Sequence, residues 1–304
     1  MPPPPPTRQP AARSPDPGRN EGRAAVEAGL HLIATPIGAA RDITLRALDI
    51  LAGAEVLAAE DTRSLRRLLD IHGIALAGRP LLAYHDHNGE KMRPKLMAVL
   101  AEGRSLAFAA EAGTPMVADP GYRLAREAIA AGHPVHSAPG ASAVLAALTV
   151  SGLPSDRFCF LGFAPAQKTA RARFLQAAAA LPATLILFES PRRIKGMLDD
   201  LVQHFGQERE CALCRELTKR HEEIIRGSLG MVANMLAGRE LRGEIVLVID
   251  RPRAAAPDSA LLADALRQAL QAHSLREAVA QVAAAHGAPR RQVYQLALEI
   301  SGRS

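Results

Sequence analysis

Glu60, Asp61, Thr62 and Arg63 place two carboxylates and a guanidinium side by side, directly after the apolar run VLAA. A carboxylate at a strand end can orient a hydroxyl or take its proton, and Arg63 can hold a phosphate through charge-assisted hydrogen bonds. The plainer alternative is a capped helix start, with Asp61 or Thr62 accepting from backbone N–H groups that the first turn leaves open. Taken alone, the four residues favour that alternative. Three other loops have the composition of ligand loops. TPIGAARD (35–42) carries Gly38, which lets backbone N–H groups approach a ligand closely. EAGTPMVADPG (111–121) has two prolines that fix φ and two glycines that permit turns other residues resist. Such a loop is stiff, and a stiff loop preorganises donors and acceptors. PGAS (139–142) has the same character. HDHN (85–88) offers two imidazoles, but no further metal ligands gather around them. Cys211 and Cys214 lie in a strand-like run with no second pair, so they read as structural. ELTKRHEEIIRGSL (216–229) brings Lys219, Arg220 and Arg226 to a strand–turn–strand, where they can face phosphate or simply solvent. Neither a GxGxxG fingerprint nor a Walker A loop is present, which argues against NAD and ATP.

These loops need a frame. From residue 29 short apolar runs alternate with segments of helical spacing: GLHLIATP, then ITLRALDILAGA with Ile43, Ala47, Ile50 and Leu51 along one side. EVLAAE precedes RSLRRLLDIHG, a helix ending at Gly73. RPLLAYH precedes the helix KLMAVLAEG, SLAFAA precedes YRLAREAIAAG, and HPVHSA precedes SAVLAALTVSG. The pattern predicts a mostly parallel sheet with helices on both faces, its strands apolar throughout because both sides are covered. In such sheets ligands bind beyond the carboxyl ends of the strands, where the four loops fall. SGLPSDR marks a break. A second alternating series follows, in which two adjacent strand-like runs (210–217 and 221–227) suggest an antiparallel pair and hence a mixed sheet. The last 45 residues read as three short helices resembling a helix-turn-helix, with Ser274 and Glu277 at capping-box spacing and Pro289 suited to the start of the last helix. The division expected is a Pro-rich disordered extension (1–28), an N-terminal α/β domain (29–152), a C-terminal α/β domain (153–250), a linker (251–259) and the helical segment (260–304).

The 304 residues are 48% hydrophobic with a formal net charge of +6, a balance that permits an anionic partner without requiring one. With seven Phe, three Tyr and no Trp, base stacking is scarce, so any RNA would be gripped through shape, phosphates and polar contacts. Three Cys, no signal peptide and no run of membrane length point to the cytoplasm.

In order along the chain, LIATPIGAARDITLRALDIL, AAEDTRSLRRLL, YHDHN, EAGTPMVADPGYRL, PGASAVLAALTVSGLPSDRFCFLGF, LFESPRRI, CRELTKRHEEIIRGSL and GEIVLVID resemble the ribosomal small subunit methyltransferase I family, within the tetrapyrrole methylase superfamily. The resemblance spans roughly residues 29–250, and the helical tail is similar to that family's C-terminal segment. It implies two α/β domains of the class III methyltransferase type with S-adenosylmethionine in the cleft between them, a homodimer, and 2′-O-methylation of a cytidine in the decoding region of 16S rRNA in the 30S subunit, without metal or membrane. It further implies donor contacts from Pro36 and Gly38 in the first loop, from Glu111, Ala112, Gly113, Thr114 and Pro115 in the long loop, and from Ser142 and Ala143 after PGA. Glu189 and Ser190 of LFES and Leu217 and Thr218 of CRELT complete that set. Glu60, Asp61 and Arg63 then fall near the acceptor, and Arg41, Arg63, Lys219 and Arg220 on RNA phosphate. The chain departs from the family pattern at Ala110 and Glu111, where Ser and Asp are usual, at Ala39 for Asn, and at Arg192 for His. One hydroxyl is lost and one carboxylate stands a methylene further out. Two other readings stay open: a tetrapyrrole methyltransferase of the same superfamily, and a non-catalytic RNA-binding or assembly factor.

Overall fold

The computed structural model describes residues 25–115, 121–252 and 259–302. Residues 1–24, Met116–Pro120 of the long loop and most of the expected linker lie outside them. Contacts group the chain into two compact units: residues up to Val150 together with Cys214–Glu223, and Ser151–Leu213 together with Ile224 onward.

The first unit holds a five-stranded sheet of β1 (Gly29–Ile33), β2 (Val56–Ala59), β3 (Leu81–Ala83), β4 (Ser105–Ala109) and β5 (Val135–Ala138), in the order β3-β2-β4-β1-β5. Every neighbouring pair runs parallel. The central strands β1, β2 and β4 are buried at every position, as continuous apolar runs require. Successive side chains point to opposite faces. Leu30, Leu32, Val56, Ala58, Leu106 and Phe108 therefore pack together with Leu96 and Leu100 of α3 (Gly89–Ala101) and Leu124 and Ala128 of α4 (Gly121–Ala130). Ile33, Leu57, Ala59, Ala107 and Ala109 pack on the other face with Ala47 and Leu51 of α1 (Leu45–Gly53) and Leu65 and Leu69 of α2 (Thr62–Ile71). The chain leaves β1 on one face toward β2 and leaves β4 on the other face toward β5. Strand order reverses between β1 and β4, the crevice where open α/β sheets bind ligands.

Two local expectations are corrected. Sequence spacing starts the third helix at Lys95; it begins at Gly89 and runs through Pro94. Asn88 carries that entry: its Oδ1 accepts from the His85 N–H, its Nδ2 donates to the Ala83 carbonyl, and its own carbonyl accepts from Lys91 and Met92. The first helix likewise starts at Leu45, capped by the Thr44 hydroxyl, so Ile43 precedes it while still facing the core. A short 3-10 turn, Ala40–Asp42, fills the first loop.

In the second unit β6 (Phe158–Phe163), β7 (Thr184–Glu189), β8 (Glu210–Arg215), β9 (Glu223–Ser228) and β10 (Ile245–Ile249) order as β6-β7-β10-β8-β9. β6 and β7 are parallel and β7 and β10 antiparallel, so the sheet is mixed, and β8 and β9 are neighbours. Their apolar side chains pack against α6 (Lys168–Ala179), α7 (Ile194–Phe205) and α8 (Leu229–Leu236). Three helices follow: α9 (Ser259–Ala269), α10 (Leu275–His286) and α11 (Arg290–Ser301), with a buried cluster of their own that includes Leu262, Leu266, Val282 and Val293. Ser274 and Glu277 form the expected capping box, and Pro289 is the N-cap of α11. No helix among the described residues is long and apolar enough to cross a membrane.

Candidate active site

The loops leaving β1 and β4 are tied to one another. Thr35 and Gly113 exchange two backbone hydrogen bonds of 3.0 Å, an isolated antiparallel bridge across the crevice. The buried Thr35 hydroxyl donates to the Ala110 carbonyl at 3.2 Å, and the Thr114 hydroxyl donates to the Ala141 carbonyl at 2.9 Å. The loops after β1, β4 and β5 thus form one cross-braced cradle. Gly113 has φ of +79°, and a Cβ there would meet Ile37 Cγ2 at 3.2 Å. A Cβ on Gly140 would meet the Ala34 Cβ at 3.0 Å. Gly113 is thus favoured by dihedral and by closeness, and Gly140 by closeness alone.

A fourth segment of this cradle comes from Cys214–Glu223, within the same unit. The Ala39 N–H donates to the Thr218 hydroxyl at 3.1 Å. A Cβ on Gly38 would lie 2.5 Å from Lys219 Cγ and 2.6 Å from Thr218 Oγ1. Glu216 and Thr218 both hold positive φ, 51° and 62°, although neither is glycine. Strain of this kind persists only where surroundings over-determine it. Here the Thr218 N–H donates to Glu222 Oε2 and the Lys219 ammonium pairs with Glu216 at 2.9 Å. Leu217 is buried and Arg220 exposed.

Glu60 and Asp61 take different parts. Glu60 Oε2 accepts from the Glu111 N–H at 3.2 Å, fastening the start of the long loop to the end of β2. Asp61 is the N-cap of α2, accepting from the Arg63 N–H at 2.8 Å, and the Arg63 guanidinium folds back to it at 3.3 Å. The backbone N–H of Arg63, and then its guanidinium, hold the Asp61 carboxyl below the usual carboxylate range. That makes Asp61 a weaker proton acceptor. Arg63 is 92% exposed, so its pairing leaves most of the guanidinium in solvent. Ser142 lies at the start of α5 (Ala143–Ser151), its hydroxyl 3.5 Å from the Leu145 N–H, with Ala143 as first helical residue.

Beside the cradle is a cavity of about 390 Å³. Thr35, Pro36, Gly38 and Ala40 line it from the first loop, Ala110 and Glu111 from the long loop, and Ser64, Leu65, Arg67, Leu68 and Ile71 from α2. The His72 ring, at 3.0 Å from the Ala40 carbonyl, holds the end of α2 against the first loop.

The structure thus brings together Pro36, Gly38, Glu60, Glu111–Pro115, Ser142, Leu217 and Thr218. Glu189 and Ser190 belong to the second unit. There Glu189 is buried, accepts from the Ser190 N–H at 2.7 Å and pairs with Arg193 at 3.2 Å. Thr35 braces the cradle and Arg67 lines the cavity, and sequence reading singled out neither. Thr35 was legible only as the residue before Pro36, and Arg67 only as one basic position in an amphipathic helix. His85 and His87 stand 6.0 Å apart, and no group of three or more His, Cys, Asp or Glu gathers among the described residues. Cys211 and Cys214 are buried, and burial pushes the Cys211 thiol up to about 12, so it stays protonated.

The profile of the Tetrapyrrole (Corrin/Porphyrin) Methylases matches residues 29–233, and that of the RsmI C-terminal HTH domain matches residues 256–301. A solved uroporphyrin-III C-methyl transferase from Thermus thermophilus, complexed with S-adenyl homocysteine, has a similar fold. Its TM-score is 0.50 at 21% identity, over 73% of this chain and 97% of that one. Fold and loops together define a methyltransferase of the tetrapyrrole methylase class. The chain is 45% identical to the ribosomal RNA small subunit methyltransferase I of Mesorhizobium japonicum, over 92% of this chain and 94% of the relative. It is 42% identical to that of Escherichia coli O157:H7, over 90% and 96%. The chain belongs to the ribosomal RNA small subunit methyltransferase I family.

Proposed function

We propose that the protein transfers a methyl group from S-adenosylmethionine to the 2′-hydroxyl of a cytidine in the decoding region of 16S rRNA, acting on the 30S subunit in the cytoplasm as a homodimer. The observation that carries this reading is the 45% identity, over 92% of the chain, to a relative named for ribosomal RNA small subunit methylation. The cradle supports it. Closely approached glycines and backbone carbonyls and N–H groups brought edge to edge suit a neutral-to-cationic donor that needs many short polar contacts and no metal. When bound, the donor supplies an electrophilic methyl group on a sulfonium.

Pro36, Gly38, Glu111, Ala112, Gly113, Thr114 and Pro115 hold the donor in this reading, with Ser142, Ala143, Leu217 and Thr218 beside them. Their task is alignment, because an in-line displacement depends on the approach of the hydroxyl oxygen. Glu60 and Asp61 face the acceptor. The Arg63 N–H and guanidinium hold the Asp61 carboxyl low, which weakens it as a proton acceptor. Arg41, Arg63, Lys219 and Arg220 bind phosphates of the RNA. Glu111, longer by a methylene than the family's usual Asp, takes its donor contact from a backbone anchored on Glu60.

Calorimetric titration with S-adenosylmethionine and labelled methyl transfer to undermethylated 30S subunits test the reading. Micromolar donor affinity with the label on one cytidine 2′-oxygen is expected. Absence of donor binding, or transfer to a tetrapyrrole in preference to 30S, would overturn it.

A further inference from the structure

We infer that the cavity between α2 and the first loop seats one nucleotide of the substrate RNA strand, with Arg67 taking its phosphate. The inference rests on the rRNA reading above and assigns a residue and a subsite that reading leaves open.

The argument starts from α2. Ser64, Arg67, Leu68 and Ile71 recur at the three- and four-residue spacing of one helical face, and that face is the cavity wall. Leu65 lines the floor while remaining in the core. The cavity, about 390 Å³, falls in the range of roughly 300–1,000 Å³ typical of small-molecule sites, enough for one nucleotide unit.

Charge then narrows the occupant. Arg41, Arg66 and Arg67 are exposed and have no ion-pair partner among the described residues. With Arg63 they set four guanidiniums on α2 and the adjoining 3-10 turn. Exposed guanidiniums without an ion-pair partner are favourable points of contact for a polyanion. Within the cavity itself the balance differs: among the described residues Arg67 is the one cation on the wall, and Glu111 supplies a carboxylate. A triphosphate or a free phosphate dianion would meet that carboxylate. A phosphodiester carries a single charge for Arg67, and a nucleoside adds no negative charge to meet that carboxylate. Among the described residues the wall offers aliphatic surface from Pro36, Leu68 and Ile71 and no aromatic ring, so the nucleoside is held by its polar edges rather than by stacking. Ordering one strand nucleotide here, against the loop that the reading assigns to the donor, fixes the register of the strand relative to the methyl group. Arg67 is thus a positioning residue.

The test compares wild type, Arg67→Ala and Arg67→Lys by equilibrium binding to 30S subunits over a salt series, with separate calorimetry for S-adenosylmethionine. Arg67 is exposed, and thermal melts check that the fold is kept. Arg67→Ala is expected to weaken 30S binding five- to tenfold and to lower the log–log salt slope by about 0.7–0.9, the loss of one phosphate contact. Arg67→Lys should restore the slope with only part of the affinity, since an ammonium supplies charge without the fork. Donor affinity should not change in either. An unchanged slope in Arg67→Ala overturns the inference, and so does loss of donor binding, which would give the cavity to the donor. Failure of wild type itself to bind or methylate 30S would bring down the rRNA reading, and the inference with it.

Discussion

Gly113 carries three constraints at once: a positive φ, a bridge to Thr35, and a side where a methyl would crowd Ile37. Gly103 has φ of +71° and nothing within 4 Å of where its Cβ would stand, so it isolates the backbone part of the effect. Both Gly→Ala changes should cost roughly 1 kcal/mol or more of stability through the left-handed conformation. Only Gly113→Ala should also lose S-adenosylmethionine affinity, by tenfold or more in a calorimetric titration, because Ile37 must move and the cradle with it. Equal donor affinity in the two variants would remove the cradle from the donor site. Part of this was legible in the sequence: glycine and proline density marks a shaped loop whatever its neighbours. The bracing was not. Thr218 meets the Ala39 N–H from 179 residues away, and Glu60 meets the Glu111 N–H from 51. No local pattern encodes which hydroxyl finds which N–H across such separations.

At the scale of elements, α2 does two jobs that one substitution can separate. Asn caps helices about as well as Asp, whereas Ala does not. Asp61→Asn should therefore leave stability nearly unchanged, and Asp61→Ala should cost about 1 kcal/mol in urea unfolding. If Asp61 also serves the acceptor, both variants lose single-turnover methylation; if Glu60 alone serves it, Asp61→Asn retains the rate. The cap also has a pH signature. A carboxyl depressed on folding adds stability that is present above its unfolded pKa and lost as pH falls through the lower folded value, so Asp61→Asn should flatten part of the acid limb of a stability–pH curve. His31 of β1 acts from the other side of the pH scale. Burial, chiefly, lowers its pKa, while the Glu27 carbonyl accepts at 2.8 Å and opposes the shift, and the stacked His136 ring lies 4.8 Å away. The unfolded chain then takes up a proton near pH 6.5 that the folded sheet refuses, so stability should fall as pH drops from 7.5 to 5.5. His31→Gln should make that fall shallower in urea titrations; an unchanged slope would assign the loss elsewhere. The parallel sheet was readable because alternating apolar runs and amphipathic helices have few other solutions. The start of α3 was not, because Pro94 reads as a helix beginning. The caps that actually open the helix, Asn88 against Ala83 and His85, are tertiary details of one turn, and the Arg93–Glu127 ion pair supports the turn that contains the proline.

At the scale of the whole molecule, the proposed reading separates donor binding from RNA grip by where charge and core lie. The C-terminal helices have their own buried cluster and a complete capping box, so their shape does not depend on the cradle loops. They are close to neutral in charge, which makes a broad electrostatic attraction to RNA a poor account of them. Arg290 and Arg291 are concentrated at the start of α11, both exposed, after a turn closed by Gly287 in the left-handed region. In helix-turn-helix modules the first residues of the second helix make the contacts. Reversing both charges, Arg290→Glu with Arg291→Glu, should weaken binding to 30S subunits at least tenfold and reduce its salt dependence by about two phosphate contacts. S-adenosylmethionine affinity and the methylation rate at saturating 30S should stay unchanged, so the loss appears in KM and not in kcat. Combined with Arg67→Ala, the two losses should add, because phosphate contacts in independent places sum when neither reshapes the other. A kcat defect in the Arg290/Arg291 variant would instead show that the helices set the strand's register at the methyl group, a task assigned here to Arg67 alone.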